Sequence, residues 1–141
     1  IAEGGVRLIF PGGPAILLFD YYDEDESGAT YNSGIIFQSA QSHRHSSEKF
    51  IKFIPGAYDT LVEIVDSDWV MELREMNKEI ADYWDIRHYA IILDSNGIYE
   101  FIARDYDILD TKEGRLSKVM NFELEMTYDK EKGRRKWIMK N

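Results

Sequence analysis

The chain has 141 residues and sets 26 Asp and Glu against 17 Lys and Arg, a formal charge of -9. That balance excludes sequence-independent nucleic-acid binding, which needs a basic surface to displace counterions, and argues against docking on an anionic membrane. With no cysteine, disulfide frameworks, thiolate zinc sites and Cys nucleophiles are excluded as well.

Hydrophobic residues make up 44% and aromatics 13%, so general disorder is excluded, and the length fits one domain over 1–141 with its own core. No run approaches the roughly 18 apolar residues of a membrane helix. Ile1-Ala2-Glu3-Gly4-Gly5 lacks the basic start and apolar block of a signal peptide. A cytoplasmic location is expected. The chain opens on Ile1, not Met, which is compatible with a trimmed or incomplete reading frame.

Val6 to Phe10 is a short apolar run closed by Pro11-Gly12-Gly13-Pro14, which is turn chemistry. Ala15 to Tyr22 reads as a strand apolar enough for burial on both faces. An acidic loop follows, and then a third strand over 29–38, where Gly34 marks a bulge or a close backbone approach. Ser39 to Glu48 is polar, a loop or strand end. Lys49 to Ile54 reads as a strand stopped by Pro55-Gly56, and Thr60 to Val65 as another.

Trp69, Leu73, Met76, Ile80 and Tyr83 recur at helical spacing, and Ser67 is the natural N-cap for that helix. Residues 87–93 and 98–104 then read as two strands around Asp94-Ser95-Asn96-Gly97, since Asn-Gly tolerates the positive φ of a tight turn. Both strands are apolar on both faces, which predicts a central place in the sheet. Near the end, Phe122, Leu124, Met126 and Tyr128 alternate with polar residues, and 134–140 returns with Trp137 and Met139 on one face. The pattern sets Leu124 near Trp137 and Glu125 opposite Lys136. Together these elements predict an α+β fold: one strongly curved antiparallel sheet of about six to eight strands, carrying one principal helix.

Three constellations could carry chemistry. His43 and His45 project to one face of a strand, with Glu48 three residues on, and could share a divalent metal. The acidic loop (Asp20, Asp23, Glu24, Asp25, Glu26) opens like a calcium loop through Asp23, Asp25, Ser27 and Gly28. Gly34 then stands where the bidentate Glu belongs, and a solvated turn is the plainer reading. His88 faces Asp105 if the central hairpin has a two-residue loop, pairing an imidazole with an orienting carboxylate. With Ser95 in the loop, His88 faces Arg104 instead. No Gly-x-Ser-x-Gly elbow or phosphate-binding glycine loop occurs. Trp69, Tyr83 and Trp84 are interface candidates, as large aromatics beside a charged turn.

His43, His45 and Glu48, with Pro55-Gly56 beyond them, resemble the first metal motif of the cupin barrels. Gly34 lies too early for that motif's opening glycine, Glu48 sits too close to His45, and no second motif supplies the last histidine. Ser67, Trp69, Leu73, His88-Tyr89, Glu100 and Ala103 resemble small uncharacterised bacterial accessory proteins of mobile-gene-cassette and immunity type. That resemblance implies a bacterial, cytoplasmic, stand-alone accessory protein and names no catalytic residue. The leading expectation is a non-enzymatic binding or interaction protein, homo-oligomeric or facing a basic protein partner, of inhibitor or immunity type. The alternative is a cupin-like or open-barrel metal-dependent protein using His43, His45 and Glu48.

Overall fold

The apolar runs of the chain pair as antiparallel strands, and each sheet they form is covered by another layer. The computed structural model describes residues 5–22, 29–50, 54, 56–116 and 123–140. In chain order the elements are β1 (Val6–Ile9), β2 (Ala15–Tyr22), β3 (Thr30–Gln38), β4 (Ser42–Ser46), a 3-10 turn (Glu48–Phe50) and β5 (Val62–Ile64). Next come α1 (Asp68–Met76), α2 (Lys78–Ala81), β6 (Arg87–Leu93), β7 (Gly97–Ala103), β8 (Asp105–Ile108), β9 (Lys112–Glu113), β10 (Glu123–Asp129) and β11 (Arg134–Lys140).

Among the described residues the strands form three sheets. The first has the order β1-β2-β3-β8, with β9 also pairing β3; the second runs β4-β7-β6-β5; β10 and β11 form a hairpin apart. Alternation sorts the side chains into layers. Ala15, Leu17, Ile35 and Phe37 of the first sheet meet Tyr89, Ile91, Leu93, Tyr99, Phe101 and Ala103 of the second. Phe37 stacks on Phe101 at the centre, with ring centroids 3.9 Å apart. Burying each such side chain stabilises the fold by about 2–3 kcal/mol. The opposite face of the first sheet, through Ile16, Leu18 and Ile36, packs on Leu124, Trp137 and Met139 of the terminal hairpin. Gly34 sits opposite Leu18, and a Cβ there would lie 2.6 Å from the Leu17 carbonyl oxygen. The close approach expected at this glycine is present.

The expectation of a single curved sheet beneath a principal helix is corrected. Among the described residues strand accounts for 54% and helix for 13%, with eleven strands in three sheets and two short helices, neither of them principal. Ser67 does cap α1, accepting a hydrogen bond from the Val70 N–H at 3.2 Å. The helical stripe breaks at Asn77, whose φ of -145° and ψ of 71° leave the helical region, and α1 and α2 bury no residue. The sheets cover each other, so the helices are left at the surface.

Strands β6 and β7 are central in the second sheet, as their two-sided apolar pattern predicts. Their register differs from expectation. Leu93 pairs with Gly97, so Asp94, Ser95 and Asn96 all lie in the loop. Positive φ falls on Ser95 (64°) and Gly97 (96°), not on Asn96. The Asn96 N–H bonds the Leu93 carbonyl at 2.9 Å, and Asn96 Nδ2 donates to the Asp94 carbonyl at 3.0 Å. A Cβ on Gly97 would run into the Ser46 carbonyl, so glycine is required there. As a result His88 pairs with Ile102, facing neither Asp105 nor Arg104.

The terminal hairpin forms with the expected faces but is displaced by two residues. Met126, not Leu124, lies opposite Trp137, and Thr127, not Glu125, lies opposite Lys136. Asp129 Oδ1 accepts the N–H groups of Glu131 and Lys132 at 3.0 and 3.2 Å, and Gly133 has φ 66°, which closes the loop over 130–133. The calcium-loop match over 23–28 and residues 51–53 of the strand expected at 49–54 lie outside the described residues, while Lys49 and Phe50 belong to the 3-10 turn and not to a strand. Among the described residues no helix is long and apolar enough to cross a membrane.

Candidate functional site

The outer face of the second sheet carries a chain of polar side chains under the first turn of α1. Pairing of β4 with β7 sets Arg44 directly opposite Glu100. Pairing of β6 with β7 sets Ala90 opposite Glu100, which makes His88 its diagonal neighbour on the same face. Arg44 grips the carboxylate twice, Nε to Oε2 at 2.7 Å and Nη2 to Oε1 at 3.1 Å. His88 Nε2 meets Glu100 Oε1 at 2.8 Å, and His88 Nδ1 meets Ser67 Oγ at 2.7 Å. Ser67, His88 and Glu100 are all buried, at 6%, 4% and 6% exposure. Trp69 closes the group from above, edge-on to the His88 ring at 5.2 Å, with the Arg44 guanidinium 4.1 Å over its own ring.

Electrostatics fix the proton positions along this chain. Burial by itself pushes the Glu100 carboxyl upward, but the hydrogen bonds from His88 and Arg44 outweigh it and hold the group at about 2. An ionised carboxylate only accepts, so a neutral His88 carries its proton on Nε2 and presents a lone pair at Nδ1. With His88 neutral, the Ser67 hydroxyl donates to Nδ1 while its oxygen accepts from the Val70 N–H. Ser67 and His88 also line a cleft of about 290 Å³, with Ile64, Val70, Met71, Arg74 and Arg87 among its walls.

On the other flank of α1 lies an apolar groove, also of about 290 Å³, lined by Leu73, Met76, Ile80, Ala81, Trp84 and Ile86 with Gln41, Arg74 and Asn77. Met76 is 74% exposed, Trp84 45% and Ile80 44%, and Tyr83 beside them is 83% exposed. Large side chains are left in water here, since α1 and α2 bury no residue. Glu72, Glu75, Glu79, Asp82 and Asp85 are exposed along the same stretch. Lys78 pairs with Glu75 at 3.0 Å, Arg87 and Arg134 pair with Asp85 at 3.5 and 3.6 Å, and Arg74 donates to the neutral Ala81 carbonyl at 2.9 Å. The groove is lined mainly by apolar side chains, and the stretch that forms it carries more acids than bases.

The sequence-predicted site residues fare differently. His43 stacks on Phe10 at 4.1 Å, while His45 Nε2 bonds the Asn96 carbonyl at 2.6 Å and its ring lies 4.4 Å from that of Tyr99. Among the described residues no three His, Asp or Glu side chains, Glu48 included, converge as a metal centre. His88 and Asp105 are not brought together. Asp105 is buried among Lys132 and Arg134, each at 3.0 Å, and Arg104 at 3.3 Å. Of the three interface candidates, Tyr83 and Trp84 lie at or beside the groove, whereas Trp69 belongs to the polar chain.

Sequence reasoning missed Glu100 and Ser67 as partners of His88, and Arg44 as the partner of Glu100. One signal was present: shifting the hairpin register by an odd number of residues moves His88 onto the face of Glu100. No protein-family model, curated protein or solved structure matches this chain. The chemistry of the side chains therefore carries the functional reading.

Proposed function

We propose that this protein works by binding another protein, taking a basic amphipathic segment into the groove beside α1 and α2. The observation that carries this reading is the contiguous exposure of Met76, Ile80, Tyr83 and Trp84 around an open groove. Apolar patches of this kind mark interaction surfaces, and Trp and Tyr commonly anchor them. Docking that covers Trp84, Ile80 and Met76 gives about 1.5–3 kcal/mol for each side chain removed from water.

The partner's charge follows from the rim. The stretch that forms the groove carries more exposed carboxylates than cations, and the chain carries -9 overall. A second copy would set carboxylate against carboxylate, so a basic partner fits this face better than self-association. The wider reading, a cytoplasmic accessory protein of inhibitor or immunity type, rests on the same acidic balance, the absence of cysteine and the accessory-protein resemblance.

Calorimetric titration with a Leu/Lys amphipathic peptide of about five helical turns, against its Leu/Glu counterpart, tests the reading. Binding of the Lys peptide alone, weakened at least tenfold by Ile80→Ser with Trp84→Ser, supports it. Equal binding of both peptides, or binding untouched by those substitutions, overturns it.

A further inference from the structure

The Ser67–His88–Glu100 chain has the parts of a nucleophilic site and opens on the second cleft, not on the groove. We propose that Ser67 is a catalytic nucleophile and His88 its general base, in an acyl-transfer site that hydrolyses small esters with short apolar acyl groups. The assignment is independent of the groove.

Three relationships carry it. The first is mutual geometry: hydroxyl to imidazole at 2.7 Å and imidazole to carboxylate at 2.8 Å form an activated nucleophile, its base and the group that orients the base. The second is tautomer control. Arg44 holds Glu100 with two hydrogen bonds, Glu100 holds the His88 proton on Nε2, and the Nδ1 lone pair is left facing the Ser67 hydroxyl. Glu100 and Arg44 are positioning residues in this scheme. The third is access, because Ser67 and His88 both line the cleft, whose walls set Ile64, Val70 and Met71 beside the charged Glu63, Asp66, Arg74 and Arg87. At about 290 Å³ the cleft stands at the lower end of small-molecule sites, which sets the size of the acyl group.

The turn before Ser67 adds support. Asp66 has φ 53°, an uncommon conformation for a non-glycine residue, and it swings the chain from β5 into the helix with Ser67 at the head. The first intrahelical bond there is Met71 N–H to Ser67 O at 3.1 Å, so the amides of Asp68 and Trp69 have no helical carbonyl to bond. They are the donors nearest in chain to an oxyanion formed at Ser67, at the positive end of the helix.

The chemistry balances without a further reagent. The Ser67 Oγ–H proton passes to His88 Nδ1 as Oγ bonds the ester carbonyl carbon. The tetrahedral intermediate then collapses, the carbon–alkoxy bond breaks, and the leaving alcohol takes the proton from Nδ1. Water next gives a proton to Nδ1 and its hydroxyl oxygen bonds the acyl carbon. The acid departs as the Ser67 Oγ–acyl bond breaks and Oγ recovers the proton. Ester and water become acid and alcohol.

Labelling with a fluorophosphonate probe, read by intact mass and peptide mapping, tests the assignment. The expected result is a single adduct on Ser67, lost in Ser67→Ala and slowed at least tenfold in His88→Gln. Hydrolysis of p-nitrophenyl acetate should be lost in parallel. Glu100→Gln should move the acid limb of the labelling-rate profile, which a purely structural carboxylate would leave in place. Should Ser67→Ala fail to fold, Ser67→Cys retains a side chain able to cap and introduces a single thiol into a chain that has none. The iodoacetamide rate of Ser67→Cys at pH 6–7 should exceed that of a Ser95→Cys control at least tenfold. No adduct on folded wild-type protein, an adduct elsewhere, or equal iodoacetamide rates for the two thiol variants overturns the assignment.

Discussion

The side-chain amide of Gln38 and the backbone of Trp137 hydrogen-bond in both directions. Nε2 donates to the Trp137 carbonyl at 2.7 Å, and the Trp137 N–H donates to Oε1 at 2.8 Å. Gln38 is 1% exposed, so a buried amide stands in for a neighbouring strand and ties β11 to the first sheet. Arg104 adds a bond from Nη2 to the Arg135 carbonyl at 3.0 Å. Replacing Gln38 by Leu removes the partners of both the N–H and the C=O of half-buried Trp137, at a cost of about 2 kcal/mol. Hydrogen exchange should show the amides of β10 and β11 losing protection before those of β6 and β7. Equal loss across all three sheets would contradict a separately docked hairpin.

The layered core makes a second prediction. Phe37 and Phe101 are both fully buried and stack between the two large sheets. Phe101→Ala should cost about 3–5 kcal/mol, as large cavities do. Met76→Ala, on a helix that buries nothing, should change stability by less than about 0.5 kcal/mol. Urea denaturation of both variants separates the stacked-sheet architecture from a helix-covered one. A large loss at Met76 with a small one at Phe101 would point back to a helix-covered sheet.

How far the fold could be read from sequence depends on how local each signal is. Ser67 as N-cap and the central place of β6 and β7 were legible, because a cap and a two-sided apolar run are written in neighbouring residues. The stripe of Trp69, Leu73, Met76 and Ile80 was equally legible as a helix, but amphipathicity does not say what covers the apolar face. Strand β8 alternates Asp105 and Asp107 with Tyr106 and Ile108 over four residues only, and β9 is two charged residues, so neighbours make them strands: β8 pairs with Ile35 to Gln38 and β9 with Tyr31 and Asn32. The hairpin register turned on whether Ser95 or Asn96 takes positive φ, a small difference for polar residues in a loop. The polar site inherits both problems. Glu100 reaches His88 only through that register, and Arg44 reaches Glu100 through a pairing of β4 with β7 between strands far apart in sequence.

Acid should weaken the fold through Glu100. Its folded value, about 2, lies below the ordinary value of 4.5 because hydrogen bonds from His88 and Arg44 outweigh the upward push of burial. A depressed carboxylate contributes stability that is present above its unfolded value and is lost as pH falls through the folded one. The contribution should therefore be complete above about pH 5 and disappear towards pH 2, with an upper size of about 3 kcal/mol. Asp105, also lowered, titrates in the same direction: burial pushes it up, while the Lys132 hydrogen bond and the charges of Arg104, Lys132 and Arg134 bring it down. Denaturation free energies from pH 6 to pH 2 should fall less steeply for Glu100→Gln than for wild type. Parallel curves would mean that Glu100 is not held as described.

The central claim, that the groove beside α1 and α2 receives a basic amphipathic segment, is tested most directly by mapping amide chemical shifts of the labelled protein during titration with a Leu/Lys peptide. The expected result is a set of saturating shifts confined to residues 73–86, with the Trp84 indole N–H among the largest. Those shifts should weaken as salt is raised, since an acidic rim steers the encounter. Saturating shifts centred elsewhere, on β4 or the terminal hairpin for example, would contradict the claim, as would the absence of saturable shifts.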